Sequence, residues 1–209
     1  MKTPAKKKKK GTLREYAESL IIAFVIAFFV RSFFIQAFKI PSSSMEPTLL
    51  VGDHILVNRL SYVVKVPILD KIIFEISRPE RGDVVVFRYP LDRSKDFIKR
   101  VIAKGGDTLE IQGNRIYING KRMEDPWGYY EYETRPFPEK EHIGPLKVPE
   151  DAYFVMGDNR DKSYDSRFWG FIRQEDLVGK ALVIYFSWDR HARSIPRYVR
   201  WERIGKLIK

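Results

Sequence analysis

The chain has 209 residues, of which 44% are hydrophobic and 31% charged, and it contains no cysteine. This composition is typical of a folded globule and excludes disulfides and thiolate zinc sites. The formal net charge is +11, and subtracting the six lysines Lys2 and Lys6–Lys10 leaves +5 for the rest of the chain. Much of the positive charge therefore lies in a short N-terminal run, ahead of the first predicted element.

The first predicted element is an apolar helix. Leu20–Val30 is an unbroken apolar run of 11 residues, and Arg31 separates it from the mostly apolar stretch 32–38. A membrane span needs about 20 residues, so we predict a transmembrane helix over 16–38 with Arg31 reaching toward the outer interface. Two other interpretations fit less well. A cleaved signal peptide would need a small-x-small cleavage site, and the segment after the apolar run has none. A buried helix of the globule would not be apolar on nearly all faces.

The orientation of this helix follows from its flanking charge. The lysines lie in the basic tail 1–15, and lysine and arginine are enriched on the cytoplasmic side of spans. We therefore expect a cytoplasmic N-terminus, with the chain outside the membrane from about Lys39 onward. The C-terminal stretch 190–209 is also basic and contains Tyr198 and Trp201. This pattern suits an anionic membrane surface, and a solvated basic face is an equally ordinary interpretation.

Strand patterns dominate after residue 40. The segments richest in β-branched and aromatic residues are His54–Leu60, Asp83–Tyr89, Asp96–Ala103 and Leu177–Trp188. These predict strands, and a further strand is predicted in the segment DAYFVM. The turn pairs Gly113-Asn114 and Asn119-Gly120 predict hairpins. Helical periodicity is weak, with Val199–Ile208 as the one candidate.

The predicted fold is mostly β: a single N-terminal transmembrane helix followed by an antiparallel β-sheet domain. The stretch 125–150 contains five prolines and no clear alternation, which predicts a loop-rich region. We therefore predict a core formed by 39–106 and 153–209, interrupted by a smaller inserted β and loop subdomain over 107–152.

Three consecutive serines, Ser42–Ser44, follow the apolar helix. A serine hydroxyl becomes a nucleophile only when a base accepts its proton. The three histidines are His54 in a strand pattern, His142 in the proline-rich region and His191 in the basic C-terminal stretch. None lies in a turn-rich motif, and both the GxSxG and HExxH patterns are absent. We therefore expect all three histidines to be surface or filling residues.

Lysine is the other base available to a serine, and it must be neutral to act. Its pKa of about 10.4 falls when the side chain is buried, so a candidate should lie in an apolar strand. Lys99 meets this condition because Phe97, Ile98, Val101 and Ile102 surround it in sequence. On spacing alone, a lysine that points out of its strand into solvent is the commoner interpretation.

Four segments occur in order after the apolar helix: IPSSSMEPTLLVGD, RGDVVVF, DFIKRVIAKGGD and GDNRDKSYDSRFWGFI. Together they resemble type I signal peptidase, the bacterial leader peptidase family, over nearly the whole chain. The resemblance implies that Ser44 is the nucleophile and Lys99 the general base. It also implies that the Ser42 hydroxyl contributes to the oxyanion hole beside the Ser44 backbone N–H. Ser43 stands where glycine is common in the family and is expected to act as a spacer.

The same resemblance assigns supporting and substrate-binding roles. Ser163 matches the serine that hydrogen-bonds and orients the lysine, and Asp165 and Arg167 match a charged pair that supports the geometry of the site. Phe97 stands where some relatives have tyrosine. The residues implied to line the pockets for substrate side chains are Phe38, Ile40, Pro41, Met45, Phe97 and Ile98.

The implied function is that of a membrane-anchored serine endopeptidase, which removes signal peptides from exported preproteins after small-x-small sites. It needs no metal or cofactor. Its expected partners are preproteins emerging from the secretion machinery and membrane lipid, with no nucleic acid. Its expected location is the bacterial plasma membrane, with the catalytic domain outside. Two alternatives remain open: a Ser/Lys peptidase with a narrow client, such as a pilus or conjugation protein, and a non-enzymatic membrane-anchored binding module.

Overall fold

The structure is a computed structural model that describes residues 12–65, 72–131, 142–190, 192 and 198–209. The N-terminal lysine run and His191 lie outside the described residues, so the expectations for them are not addressed by the structure.

The first element is helix α1, Thr12–Phe33, which is followed directly by strand β1, Ile35–Lys39. The prediction of a helix that continues to Phe38 is therefore wrong in its last turn. Residues of β1 alternate between exposed and half-buried and pair with the next strand, which explains why an apolar stretch here is extended. Within the described residues, no helix combines the length and apolar character that a membrane crossing requires.

The main sheet has seven antiparallel strands. In chain order these are β1, β2 (Asp53–Asn58), β5 (Val84–Tyr89), β6 (Asp92–Lys104), β11 (Ala152–Met156), β12 (Ile172–Arg173) and β13 (Leu177–Ser187). Their spatial order is β1-β2-β13-β5-β6-β11-β12. The long last strand β13 therefore lies between β2 and β5 and joins the two parts of the sheet.

A second sheet has four antiparallel strands. They are β7 (Thr108–Gln112), β8 (Arg115–Ile118), β9 (Lys121–Arg122) and β10 (His142–Lys147), in the order β10-β7-β8-β9. All four come from the chain between β6 and β11, the stretch in which the sequence predicts an insertion. A separate hairpin pairs β3 (Val63–Lys65) with β4 (Ile72–Glu75). A short helix α2, Ser166–Trp169, and three 3₁₀ turns, 160–162, 174–176 and 201–203, complete the described elements.

The main sheet is buried on both faces, as the alternation along β5 shows. Val84 and Val86 pack in one apolar cluster with Ile55 and Met45. Val85 and Phe87 point the other way, into a second cluster that contains Val101 and Leu177. A third cluster joins the two sheets through residues such as Ile102, Phe154 and Leu109. Strand β6 contributes to all three clusters, through Ile98, Val101 and Ile102 respectively. It is therefore held by packing on both faces.

Two segments differ from the sequence-based expectation. Val199–Ile208 is not a continuous helix, because only Trp201–Arg203 forms a 3₁₀ turn. Strand β10 lies in the proline-rich stretch that predicts loop, and it pairs with β7 through an irregular register between Ile143 and Leu146.

A buried ion pair fixes the C-terminal segment to the sheet. Asp53 is fully buried at the start of β2, and Arg203 donates to it at 2.6 and 2.9 Å. Asp53 also accepts from Ser187 Oγ at 2.6 Å and from the Leu50 backbone N–H at 2.8 Å. Arg203 donates further to the Thr48 carbonyl at 2.9 Å. The pair therefore braces both the C-terminus and the loop between β1 and β2.

We predict that Arg203→Ala lowers the free energy of unfolding by about 3–5 kcal/mol, because it leaves the buried Asp53 carboxylate without its cationic partner. Urea denaturation at neutral pH measures the loss. The matched control is Lys95→Ala, whose ion pair with Asp92 lies at the surface and should contribute almost nothing. Equal losses in the two variants would contradict the bracing role of the buried pair.

Candidate active site

Ser44 lies in the loop that connects β1 to β2. Backbone hydrogen bonds close this loop at its base, from Ile40 N to Asp53 O at 2.8 Å and from Gly52 N to Ile40 O at 3.0 Å. Met45 and Leu49 are fully buried in the apolar cluster below it. These contacts hold the Ser44 side chain, which is 7% exposed, in a fixed place at the edge of β6.

Lys99 lies on β6 and reaches Ser44. Its Nζ is 2.8 Å from Ser44 Oγ and 3.0 Å from the Ile98 carbonyl oxygen. Lys99 is only 4% exposed, and the two side chains come from positions 55 residues apart in the sequence. The fold therefore brings a serine hydroxyl and a buried amine into hydrogen-bond contact.

The surroundings of Lys99 favour its neutral form. Burial lowers the pKa of Lys99 from its ordinary value to about 8, although the nearby Asp165 and Asp158 carboxylates raise it and Arg167 lowers it further. Desolvation has this sign because a buried charged amine loses its hydration. At pH 7 roughly a tenth of such an amine is neutral, against a far smaller fraction for a lysine in water.

The loop between β11 and α2 packs against Ser44 through Gly157. A side-chain Cβ built on Gly157 would lie 2.3 Å from both the Ser44 carbonyl oxygen and Ser163 Oγ. No heavy atom fits at those distances, so glycine is required for the two segments to approach. The Asn159 N–H also donates to the Ser44 carbonyl at 3.1 Å, which fixes the backbone of Ser44 from the same side.

The fully buried Asp165 forms an ion pair with the partly buried Arg167 behind this loop. Arg167 Nε donates to Asp165 at 2.9 Å, and the Gly157 N–H donates to the same carboxylate at 3.0 Å. Burial alone would raise the pKa of Asp165, but the Arg167 charge and these hydrogen bonds lower it below its ordinary value. Arg167 also donates to the Arg160 carbonyl at 2.6 Å, so the pair ties the two ends of the loop together.

Ser163 is buried in this loop, but the hydrogen bond to Lys99 that the family resemblance implies is absent. Lys99 contacts Ser44 and the Ile98 carbonyl instead. Ser163 Oγ makes no well-aligned hydrogen bond, but it lies near Gly157 and interacts with the Asp165 carboxylate, whose pKa it helps to lower. Ser42, by contrast, is exposed at the start of the serine run.

A second buried ion pair, not identified from the sequence, supports the same loops. Arg100 and Asp158 are both fully buried and share two hydrogen bonds, of 2.6 and 2.8 Å. Trp127 of the segment before β10 stacks on the Arg100 guanidinium at 4.5 Å. Arg100 follows Lys99 and Asp158 precedes Asn159, so the pair fixes both sides of the site. The sequence indicates this pair only indirectly: Arg100 lies in the motif DFIKRVIAKGGD and Asp158 in the motif GDNRDKSYDSRFWGFI.

The residues implied to bind substrate lie on two faces of the sheet. Phe38 and Ile98 are half-buried and pack on the cluster that contains Ile40 and Met45. Ile40 and Met45 are themselves 2% and 0% exposed, so they form the floor of that region rather than its accessible wall. Pro41 is exposed. Phe97 packs against the cluster on the opposite face of the sheet.

The described histidines do not contact Ser44. His54 Nδ1 lies 3.1 Å from the Gly52 carbonyl, and its ring packs on Phe186. His142 is an exposed residue at the start of β10 in the second sheet. Within the described residues, no group of three or more histidine or acidic side chains could hold a metal ion. The chemistry available here is that of a hydroxyl beside a buried amine.

The sequence is similar to those of known proteins over most of its length. The family model for signal peptidase, peptidase S26, matches residues 13–188. Signal peptidase I of Pseudomonas fluorescens is 37% identical, and the alignment covers 96% of this chain and 81% of that protein. Signal peptidase I of Aquifex aeolicus is 36% identical over 84% of this chain and 85% of that protein.

A crystal structure of a signal peptidase I from Enterococcus faecalis aligns with 51% of this chain and 98% of its own, at 31% identity and a TM-score of 0.41. The family model covers far more than half of the chain, and the two relatives exceed 30% identity over most of their length. The chain therefore belongs to the signal peptidase family of peptide hydrolases, peptidase S26.

Proposed function

We propose that this chain is a membrane-anchored serine endopeptidase that removes signal peptides from exported preproteins, with Ser44 as nucleophile and neutral Lys99 as general base. The observation that carries the proposal is the 2.8 Å contact between Lys99 Nζ and Ser44 Oγ, made by an amine that is 4% exposed. A base must lie within hydrogen-bond reach of the proton it accepts and have a pKa near the working pH. Lys99 meets both requirements.

In the first half of the reaction, neutral Lys99 accepts the Ser44 proton as Oγ attacks the scissile carbonyl carbon. The resulting oxyanion is held by the Ser44 backbone N–H and the Ser42 hydroxyl. The exposed position of Ser42 leaves its hydroxyl available to substrate. Lys99, now charged, gives its proton to the leaving amine, and the peptide bond breaks to leave an acyl-enzyme on Ser44.

In the second half, Lys99 is neutral again and takes a proton from water, whose oxygen attacks the acyl-enzyme. The bond between the acyl carbon and Ser44 Oγ then breaks, Lys99 returns the proton to Ser44 Oγ, and the product is released as a carboxylate. Lys99 must gain and lose a charge while buried, so its surroundings have to tolerate both forms. The Asp165 and Asp158 carboxylates raise the pKa of Lys99 and burial lowers it, with a result of about 8. Ser163 is buried in the adjoining loop and does not bond to Lys99 in the structure, so a role in orienting the amine would require it to turn toward Lys99 during this cycle.

The substrate is proposed to bind as an extended strand at the edge of β6. The described ladder between β6 and β11 covers Arg100–Lys104, so β6 forms a sheet edge at Ile98 and Lys99, beside Ser44. Strand addition at such an edge fixes a peptide through main-chain hydrogen bonds. The partly buried Phe38 and Ile98 and the exposed Pro41 are proposed as the apolar walls that accept the small side chains of small-x-small cleavage sites.

Helix α1 is proposed to anchor the enzyme in the membrane. Its large apolar side chains are exposed all along the described part, with Phe24 at 72% and Leu20 at 70%. Strand β1 begins at Ile35, two residues after the end of α1. Successive paired residues form a row across five neighbouring strands, in the order Ile35, Asn58, Lys180, Val85 and Lys99. Four strand spacings of about 4.8 Å make this row roughly 19 Å long, measured along the sheet. An anchor would therefore hold the dyad close to emerging signal peptides.

Two other functions fit the sequence less fully. A narrow-client Ser/Lys peptidase would use the same dyad, and the full set of four ordered motifs favours the general enzyme. A non-enzymatic binding module would not require a buried lysine in contact with a serine, since burying an amine without function is costly. Cleavage assays with unrelated preproteins separate these alternatives.

We predict that Ser44→Ala and Lys99→Met each reduce cleavage of an Ala-x-Ala preprotein by at least about 10³-fold, because each removes one half of the proton-transfer pair. Ser42→Ala should reduce it by about 10²–10³-fold, the usual loss for one oxyanion donor. Initial rates in detergent micelles measure the effect.

The matched controls are Ser43→Ala, next to the nucleophile, and His142→Ala, on the second sheet. Both should cleave at close to the rate of the unmodified enzyme. Full activity in Lys99→Met would overturn the proposed base, and a strong loss in His142→Ala would reopen a histidine mechanism. Cleavage of a single preprotein out of a broad panel would favour the narrow-client enzyme.

We also predict that Gly157→Ala abolishes most activity, because the added Cβ would push Ser44 away from the loop that holds its carbonyl. The loss should appear in kcat, since the nucleophile is misplaced rather than the substrate surface changed. Gly113→Ala is the control for losing a glycine away from Ser44: nothing lies within 4 Å of its Cβ, and the strain from its φ of +63° falls in a hairpin of the second sheet, so it should lower stability but leave kcat unchanged. Normal kcat in Gly157→Ala would show that this close approach is not needed for catalysis.

A further inference from the structure

Three aromatic side chains form a surface next to the dyad, which we call the aromatic ledge: Tyr89, Phe97 and Tyr164. The Tyr89 and Phe97 rings stack in parallel, with centroids 4.5 Å apart and planes at 6°. Tyr164 meets Tyr89 edge-on at 6.4 Å. Trp169 lies behind the ledge, 5.9 Å from Tyr89. The arrangement is a continuous set of rings rather than scattered surface aromatics.

The ledge begins at the catalytic lysine. Lys99 Nζ lies 5.6 Å from the centroid of the Phe97 ring, and Tyr164 is the residue between Ser163 and Asp165. Tyr164 is 50% exposed, whereas Tyr89 and Phe97 are half-buried. A hydrogen bond with Tyr164 raises the pKa of Tyr89 to about 12, so the phenol of Tyr89 stays neutral through the working pH range.

The two faces of β6 offer different surfaces to a peptide at its edge. Phe97 packs toward the cluster of Val101 and Phe87, and Lys99 shares that face because side chains alternate along a strand. Ile98 packs on the opposite face, with Ile40 and Met45. A strand added beside β6 therefore presents alternate side chains to the small apolar walls and to the aromatic ledge.

This alternation assigns the substrate positions. If the residues one and three before the cut face the Ile98 side, as the proposed function requires, then the residue between them faces the ledge. We propose that the aromatic ledge of Tyr89, Phe97 and Tyr164 is a subsite for the middle residue of the small-x-small sequence, and that it prefers a large apolar or aromatic side chain there. This inference rests on the proposed function and adds a substrate preference to it.

The chemistry of the ledge fits such a ligand. Stacked or edge-to-face aromatic pairs contribute beyond simple area burial. Tyr164 also contacts Phe168 at 5.1 Å, and because it is 50% exposed, part of its ring is accessible to a further side chain. Two stacked rings are also stiff, so little conformational entropy is lost when a third ring packs on them. A small or charged middle residue would gain none of these contacts.

The test compares two peptides that differ only at the middle position, Ala-Phe-Ala and Ala-Gly-Ala, in the same flanking sequence. The measured quantity is the ratio of their kcat/KM values. Tyr164→Ala should lower this ratio by roughly two- to tenfold, the range that one aromatic pair contributes. Tyr164→Phe should keep the ratio of the unmodified enzyme, because the ring remains.

The matched control is Tyr185→Ala. Tyr185 is 42% exposed on β13, which β5 separates from β6, and its loss should not change the ratio. An unchanged ratio in Tyr164→Ala, with both peptides still cleaved, would overturn the subsite while leaving the proposed function intact. A preference that instead follows an aromatic residue placed after the cut would also overturn it. No cleavage of either peptide by the unmodified enzyme would overturn the proposed function and the subsite together.

Discussion

The account depends on one constraint: an amine must be buried beside a hydroxyl and still remain able to carry a proton. Burial that was complete and uncompensated would leave Lys99 neutral at every useful pH and unable to act as an acid toward the leaving amine. Exposure would leave it charged and unable to act as a base. The carboxylates of Asp165 and Asp158 offset part of the desolvation, which brings the pKa of Lys99 to about 8.

The rest of the site can be understood as a frame that holds this arrangement. Three ion pairs, each with a fully buried carboxylate, surround it: Asp165 with Arg167, Arg100 with Asp158, and Asp53 with Arg203. The first closes the loop before α2, the second joins that loop to β6, and the third joins β2 to the C-terminal segment. Buried pairs of this kind seldom add much net stability, but removing one partner strongly lowers the free energy of unfolding. They therefore restrict the positions that the loops can take.

The sequence predicts the strands whose side chains alternate, and the ordered motifs point to Ser44 and Lys99 before any distance is known. It does not predict β1, because IQAFK continues an apolar helix without a break, or β10, because prolines interrupt its pattern. The C-terminal turn depends on Arg203 reaching Asp53, a contact across 150 positions that no local pattern contains. The resemblance likewise implies that Ser163 bonds to Lys99, whereas the structure places the Ser163 hydroxyl near Gly157 and Asp165.

The most direct test of the central claim is a titration of Lys99 itself. Lysine labelled with ¹³C at Cε reports the charge of each amine by NMR, and comparison with Lys99→Met assigns the signal. A pKa of about 8, more than two units below the ordinary lysine value of about 10.4, is the expected result. Lys99 would then lose its proton, and become able to act as a base, as the pH rises through 8. A pKa at or above 10 would leave at most about a thousandth of the amine neutral at pH 7, as for a lysine in water, and would contradict the Ser44–Lys99 mechanism.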